Sequence, residues 1–327
     1  GRARKDAMGS TSSSEAAAAA AAGLAVFVAA VAGRRAAYAS GALLQEVEAR
    51  EATRDSGRPT VVLVHGMWHG PWYWAAVQGR LAERGVRSAA VRFRPRPFKS
   101  QRAYLSELEA ALRAAGAERR PVILVGHSQG GVLAQLAAAA HPDWVCAAAL
   151  CGTAPLASFS AVIRSVLASG KPPPPSVFWH MGFLGSLYFM VTGRVWDAGV
   201  VRRLFLLPST RDCSFLPGGL SEYQARVLAA PSDGWPTQQH WFTPSPRSRG
   251  LVDKPVLLMT GDSDVIYPSS LTWDVFRELF PHAERRVVRG QAHCFVDPGW
   301  ETAFAAPLVD WIVSAADSCT VRADMPA

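Results

Sequence analysis

The most chemically suggestive residues in the chain are Gly126-His127-Ser128-Gln129-Gly130. They follow the β-branched apolar run Val122-Ile123-Leu124-Val125 and precede an Ala-rich apolar stretch from Val132 to Ala140. The run reads as a buried strand and the stretch after it as a helix. A G-x-S-x-G between them is the pattern of a nucleophile elbow, which holds a hydroxyl out at the end of a sheet. The serine backbone is strained there, and side chains at Gly126 or Gly130 would collide with neighbouring backbone. A serine hydroxyl is a poor nucleophile until a base takes its proton, and a third group must orient that base. The chain order expected with such an elbow is serine, acid, histidine. Gly261-Asp262-Ser263-Asp264 supplies the acid and Gln291-Ala292-His293-Cys294-Phe295 the base, each directly after a predicted strand. Spacing alone does not separate Asp262 from Asp264. Of the eight histidines, His127 adjoins the serine, but neighbouring side chains diverge, so His293 is the expected base.

Acyl transfer also needs two backbone N–H groups aimed at a developing oxyanion. Gln129, the residue after the serine, supplies one. The other should come from the loop His65-Gly66-Met67-Trp68, with Met67 the choice and Trp68 the alternative. The Met67 side chain is expected to line an acyl pocket together with His65, Gly66, Trp68 and His127. No metal and no organic cofactor is required by this chemistry.

These residues need a scaffold that gathers strand ends along one edge. Thr60 to Val64 reads as a buried parallel strand, followed by a helix over 74–84 that stops at Gly85 and a strand over 86–93. A helix over 102–115 stops at Gly116. The elbow strand and its helix follow, then a strand over 145–150. Repeated β-α-β units predict a doubly wound, mostly parallel α/β sheet, with ligand chemistry at the carboxyl ends of its strands. From Pro155 to Gly250 the periodic strands vanish. Pro172 to Pro175 and the aromatics Phe178, Trp179, Phe183, Tyr188, Phe189 and Trp196 fall in this stretch, which reads as a mostly helical lid. Strands return at 255–260 and 285–288, and a last helix covers 300–315. The expected organisation is a leader over 1–56, core over 57–154, lid over 155–250 and core again over 251–327.

The chain has 327 residues, 49% hydrophobic and 18% charged, enough for one large core. Its net charge is +8, yet no zinc ligands, recognition helix or aromatic RNA-binding motif accompanies it, so nucleic acid is not expected as a partner. The basic stretch Arg92, Arg94, Arg96, Lys99 and Arg102 reads as a solvated loop or as a face for an anionic substrate or membrane surface. Five widely spaced cysteines have no metal-ligand spacing and read as free thiols. Residues 16–33 contain an uncharged Ala-rich run, consistent with a removed targeting sequence, a membrane anchor or a low-complexity leader. A plastid or membrane-associated location is expected if this leader is a targeting or anchor segment, and a cytoplasmic one otherwise.

Across residues 58–316 the chain resembles the α/β-hydrolase fold superfamily. The resemblance is carried by L-V-H-G-M-W-H-G-P-W-Y-W from Leu63, G-H-S-Q-G-G from Gly126, P-V-L-L-M-T-G-D-S-D-V-I-Y-P from Pro255 and Q-A-H-C-F from Gln291. The family pattern G-x-x-D falls on Gly261 and Asp264, so the resemblance selects Asp264. The run H-G-x-x-H-G-x-W-x-W is also similar to plant methylesterases and hydroxynitrile lyases, from which the leader and the Pro-rich lid depart. A serine at the elbow differs from dehalogenases and epoxide hydrolases of this fold, which place an aspartate there. The resemblance implies a serine hydrolase acting on a small hydrophobic carboxylic ester. The alternatives are a lyase or acyltransferase using the same three residues, or a slow-turnover ligand-binding protein.

Overall fold

The computed structural model describes residues 48–50, 57–94, 99–156, 184–185, 188–189, 194–230 and 249–323, all within the unit that begins at Leu43. The Ala-rich run at 16–33, Pro172 to Pro175 and the aromatics Phe178, Trp179 and Phe183 lie outside the described residues. Among the described residues no helix is long and apolar enough to cross a membrane.

Seven strands form one sheet in the order β1-β3-β2-β4-β5-β6-β7. They are β1 (Glu48–Arg50), β2 (Val61–Val64), β3 (Ser88–Ala90), β4 (Val122–His127), β5 (Val145–Cys151), β6 (Val256–Gly261) and β7 (Glu284–Val288). Every pairing from β3 to β7 is parallel, and β1 runs antiparallel to β3 with Glu48 opposite Ala90. The unbroken apolar runs in β2 and β4 arise because both faces are covered. Alternate residues serve the two faces. Val61, Leu63, Ile123 and Val125 join one core cluster, while Val62, Val64, Val122 and Leu124 join the other. Each such fully buried aliphatic contributes about 1.5–3 kcal/mol.

The first cluster is covered by α1 (Ala75–Glu83) and α7 (Ala306–Ala323), the second by α2 (Gln101–Ala114), α3 (Gln129–Ala140) and α6 (Ser269–Leu279). Ser100 caps α2, its hydroxyl accepting from Ala103 N at 3.2 Å, a contact worth about 1 kcal/mol. Inside the predicted lid stretch, α4 (Ala198–Phe205) and α5 (Gly219–Ala229) are described. Asp197 caps α4 by accepting from Val200 N at 2.9 Å. Val200, Val201, Leu204, Phe205, Tyr223 and Val227 from these two helices extend the first core cluster.

Several elements differ from expectation. Residues 48–50, assigned to the leader, form an edge strand because β3 would otherwise leave its outer backbone groups unpaired. The strand expected over 86–93 is only Ser88–Ala90, since pairing with β2 ends after Val91 N donates to Leu63 O at 2.9 Å. The last helix opens with a π-turn over Glu301–Ala305 and continues to Ala323. Helix α6, which starts directly after Pro268, is not among the expected elements.

Candidate active site

Ser128 is the single residue between β4 and α3, with φ 54° and ψ −122°. Its strain is held by neighbours on both sides. Ser128 N donates to Cys151 O at 2.9 Å, while Ser128 O accepts from Thr153 Oγ1 at 2.5 Å and Gly131 N at 3.0 Å. A Cβ on Gly126 would lie 2.5 Å from Gly130 O, and one on Gly130 would strike the Val64 carbonyl. The turn therefore has room only for glycine at both positions. Gln129 opens α3, so its N–H is one that the helix leaves without an intrahelical acceptor, at the positive end of the helix dipole.

His293 lies between the serine and an acid. Its Nε2 is 3.0 Å from Ser128 Oγ and its Nδ1 is 2.9 Å from Asp264 Oδ2. Since a carboxylate only accepts, Nδ1 donates to Asp264, leaving Nε2 to accept from the serine hydroxyl. The other carboxylate oxygen of Asp264 accepts from Ile266 N at 2.8 Å and Tyr267 N at 2.9 Å, which fixes its orientation. Ser128, Asp264 and His293 are all buried. Asp262 points elsewhere: it is exposed and accepts from Gly290 N at 3.0 Å, tying together the loops after β6 and β7.

Residues 61–316 match a family model described as the alpha/beta hydrolase family. The chain belongs to that family. Similar curated proteins are Esterase PIR7B of Oryza sativa subsp. japonica, 35% identical over 101 residues, and Methylesterase 7 of Arabidopsis thaliana, 35% identical over 94 residues. The matched segments cover 28% and 26% of this chain and only 38% and 36% of those relatives. A monoacylglycerol lipase from Paleococcus ferrophilus superposes over 84% of this chain and 100% of its own, with TM-score 0.56 and 20% identity. A putative lipase from Acinetobacter baumannii covers 90% and 97%, with TM-score 0.58 and 14% identity. These two likenesses show the family fold.

A cavity of about 610 Å³ reaches the elbow at Gln129 and is lined in part by His65, Gly66, Met67, Trp68 and Trp72, while Ser128 and His293 are not among its lining residues. Trp68 adopts φ 58°, and its ring is buried against Phe189 and Phe205. His127, expected in the pocket, does not line this cavity. It is buried beneath the site, stacked on Tyr73 at 4.8 Å, and its Nε2 donates to His293 O at 2.9 Å. Its ring, 5.0 Å from that of His293, thereby supports the main chain of His293. Among the described residues no cluster is placed to hold a metal ion.

Two further supports carry little mark in the sequence. His69 Nδ1 donates to Met67 O at 2.7 Å, and its Nε2 accepts from Tyr223 OH of α5 at 3.1 Å. The main chain at Met67 is thus tied to helix α5. Asp297 is buried and accepts from Ala292 N at 2.9 Å, Leu207 N at 2.9 Å and Thr210 Oγ1 at 2.5 Å. It fastens the His293 loop to the segment after α4. The second histidine of H-G-x-x-H-G is a visible signal for His69, whereas nothing local marks Tyr223 or Asp297.

Three histidines near the site, His65, His69 and His127, are held neutral. Burial pushes His65 down to about 4, with the charges of Lys99 and Arg92 adding to it. Burial pushes His69 to about 3 and His127 well below the ordinary histidine range. Burial likewise raises the Tyr223 and Cys294 groups well above theirs.

Proposed function

We propose that this protein is a serine hydrolase that cleaves small carboxylic esters through an acyl-enzyme on Ser128. The observation that carries the reading is the continuous hydrogen-bond chain Ser128 Oγ–His293 Nε2, His293 Nδ1–Asp264 Oδ2 beneath a strained elbow. In this reading Ser128 Oγ attacks the ester carbonyl as its proton passes to His293 Nε2. Asp264 keeps the ring in the required tautomer and stabilises the imidazolium. The N–H groups of Gln129 and Met67 receive the oxyanion. His293 then gives its proton to the departing alcohol, and a water molecule, deprotonated by the same ring, releases the acid. The plant relatives named esterases agree with this chemistry. Met67, Trp68, Trp72 and Phe93 offer the substrate an apolar wall.

The test is Ser128→Ala assayed on 4-nitrophenyl butyrate. Turnover should fall by about a thousandfold or more, with the thermal unfolding transition retained, and labelling by a fluorophosphonate should disappear. A folded variant that keeps its turnover overturns the mechanism.

A further inference from the structure

At the opposite edge of the sheet, by the amino ends of its strands, lies another cavity, of about 320 Å³, lined in part by Pro121, Val145, Cys146, Lys254, Pro255 and Cys319. Two of these residues bring thiols from distant parts of the chain, Cys146 on β5 and Cys319 on α7. A bulge aims the first of them. Val122 pairs with Val145 and Ile123 with Ala147, which leaves Cys146 as an extra residue in β5. Strict alternation would put Cys146 and Ala147 on opposite faces. Both instead pack with the first core cluster, where Cys319 packs as well. The Cys146 thiol donates to Val122 O at 3.5 Å, and its sulfur is in hydrogen-bond contact with the Cys319 thiol. Cys146 and Cys319 are half-buried, whereas Cys151, Cys213 and Cys294 are fully buried. The cavity therefore gives a small reagent access to this pair and not to the other three sulfurs.

We infer that Cys146 and Cys319 are a reversible disulfide site that fastens the last helix to the sheet, independently of the ester chemistry at the other edge. The oxidant is a small disulfide, RSSR. One protein thiolate attacks a sulfur of RSSR, forming a mixed disulfide and releasing RS⁻. The second protein thiolate then displaces the other RS⁻ as the bond between Cys146 and Cys319 forms. Two protein thiols and RSSR thus give one protein disulfide and two RSH, so two electrons and two protons leave the protein. The bond closes a long loop, from 146 to 319, and the entropy removed from the unfolded chain grows with loop length. The surroundings disfavour a thiolate: the Cys319 thiol and burial push Cys146 up, against a smaller pull from Lys254. A disulfide is strongly oxidising where its reduced form is stabilised. This one lacks that stabilisation, so it should resist mild thiols and yield to a strong reductant.

The probe is 2-hydroxyethyl disulfide, applied to the folded protein at about pH 8.5, where an ordinary thiol is half ionised. Remaining thiols are then blocked with iodoacetamide in urea, and proteolytic fragments are read by mass spectrometry. The expected product is an intramolecular cross-link whose fragmentation assigns the bond to Cys146 and Cys319. The midpoint of thermal unfolding should rise by about 5 °C or more on oxidation and return to its starting value after dithiothreitol. Cys146→Ser and Cys319→Ser should each lack both the cross-link and the rise. If neither serine variant folds, the fragment map of the native protein still decides. Recovery of the two residues as alkylated thiols, or as separate hydroxyethyl adducts, overturns the inference, and so does a bond between other cysteines. A bond between Cys146 and Cys319 with no rise in the midpoint overturns its role as a fastening.

Discussion

Four histidines crowd one end of the sheet, and the two regions that hold them treat the ring differently. In the region of β2, its following loop and the elbow, each ring nitrogen that bonds main chain meets a carbonyl. His65 Nδ1 meets Gly66 O at 2.8 Å, His69 meets Met67 O and His127 meets His293 O. In the region after β6 and β7, His293 meets a carboxylate that two amides hold in place. A carbonyl satisfies an N–H but does little for a buried cation, so burial keeps the first three rings neutral. A carboxylate satisfies the same N–H and also stabilises the imidazolium that proton transfer creates. On the proposed mechanism, it is the carboxylate partner rather than proximity to the serine that equips His293 as the base.

Exchanging that partner is the strongest way to break the contrast. Asp264→Asn keeps the shape but gives His293 a neutral neighbour, as the other three rings have, and offers an amide N–H where an acceptor is needed. Ester turnover should fall by about 10⁴-fold. Asp262→Asn removes a charge from the same loop but disturbs only surface contacts to Gly290 and Ser263, so turnover should stay within about threefold. Equal losses in the two variants, read as kcat/KM on one ester, would mean that the loop as a whole matters rather than the carboxylate at His293.

Acid unfolding reads the other region directly. His65, His69 and His127 are neutral when folded and accept protons freely once unfolded, near the ordinary value of 6.5. The unfolded chain therefore binds more protons, and stability must drop as pH falls. The loss begins near 6.5 and is complete for His65 at about 4 and for His69 at about 3. Each ring contributes about 1.4 kcal/mol per pH unit inside its window. Urea unfolding at several values between pH 5 and pH 7 measures the slope, and His69→Gln should remove one ring's share. A flat profile across that interval contradicts the neutral, buried state of these rings.

Much of this arrangement is legible in the amino-acid sequence. The strand-end positions of Ser128, Asp264 and His293 follow from β-branched runs broken by glycine, and the glycines flanking Ser128 imply the crowding that the Val64 and Gly130 carbonyls produce. Contacts without a local signature are not legible there. Asp297 reaches Leu207 and Thr210 across about ninety positions and sits in an ordinary-looking loop. Edge strand β1 owes its conformation to β3 rather than to its own residues Glu48-Ala49-Arg50. Adjacency to Ser128 suggests a pocket position for His127, yet its ring is buried against Tyr73 and bonded to His293 O.

A smaller effect than loss of the Asp264 carboxylate comes from the longest of these unmarked contacts. Tyr223 and His69 are 154 positions apart, and their bond links α5 to the loop that carries Met67. Tyr223→Phe removes the O–H donor while keeping the ring against Phe215 and Trp72. The Nε2 of His69 then has a buried lone pair with no donor, which costs about 1–3 kcal/mol, and its hold on Met67 O loosens. Deleting an oxyanion donor outright costs about 10²–10³-fold in kcat. A donor that is misaligned should cost less, about tenfold, with KM nearly unchanged because the cavity walls remain. Stopped-time assays on one ester, set beside thermal unfolding of the same samples, separate this from general weakening. A fall in melting temperature with kcat intact would show that Tyr223 supports the fold alone, and would cut the proposed tie between α5 and the oxyanion loop.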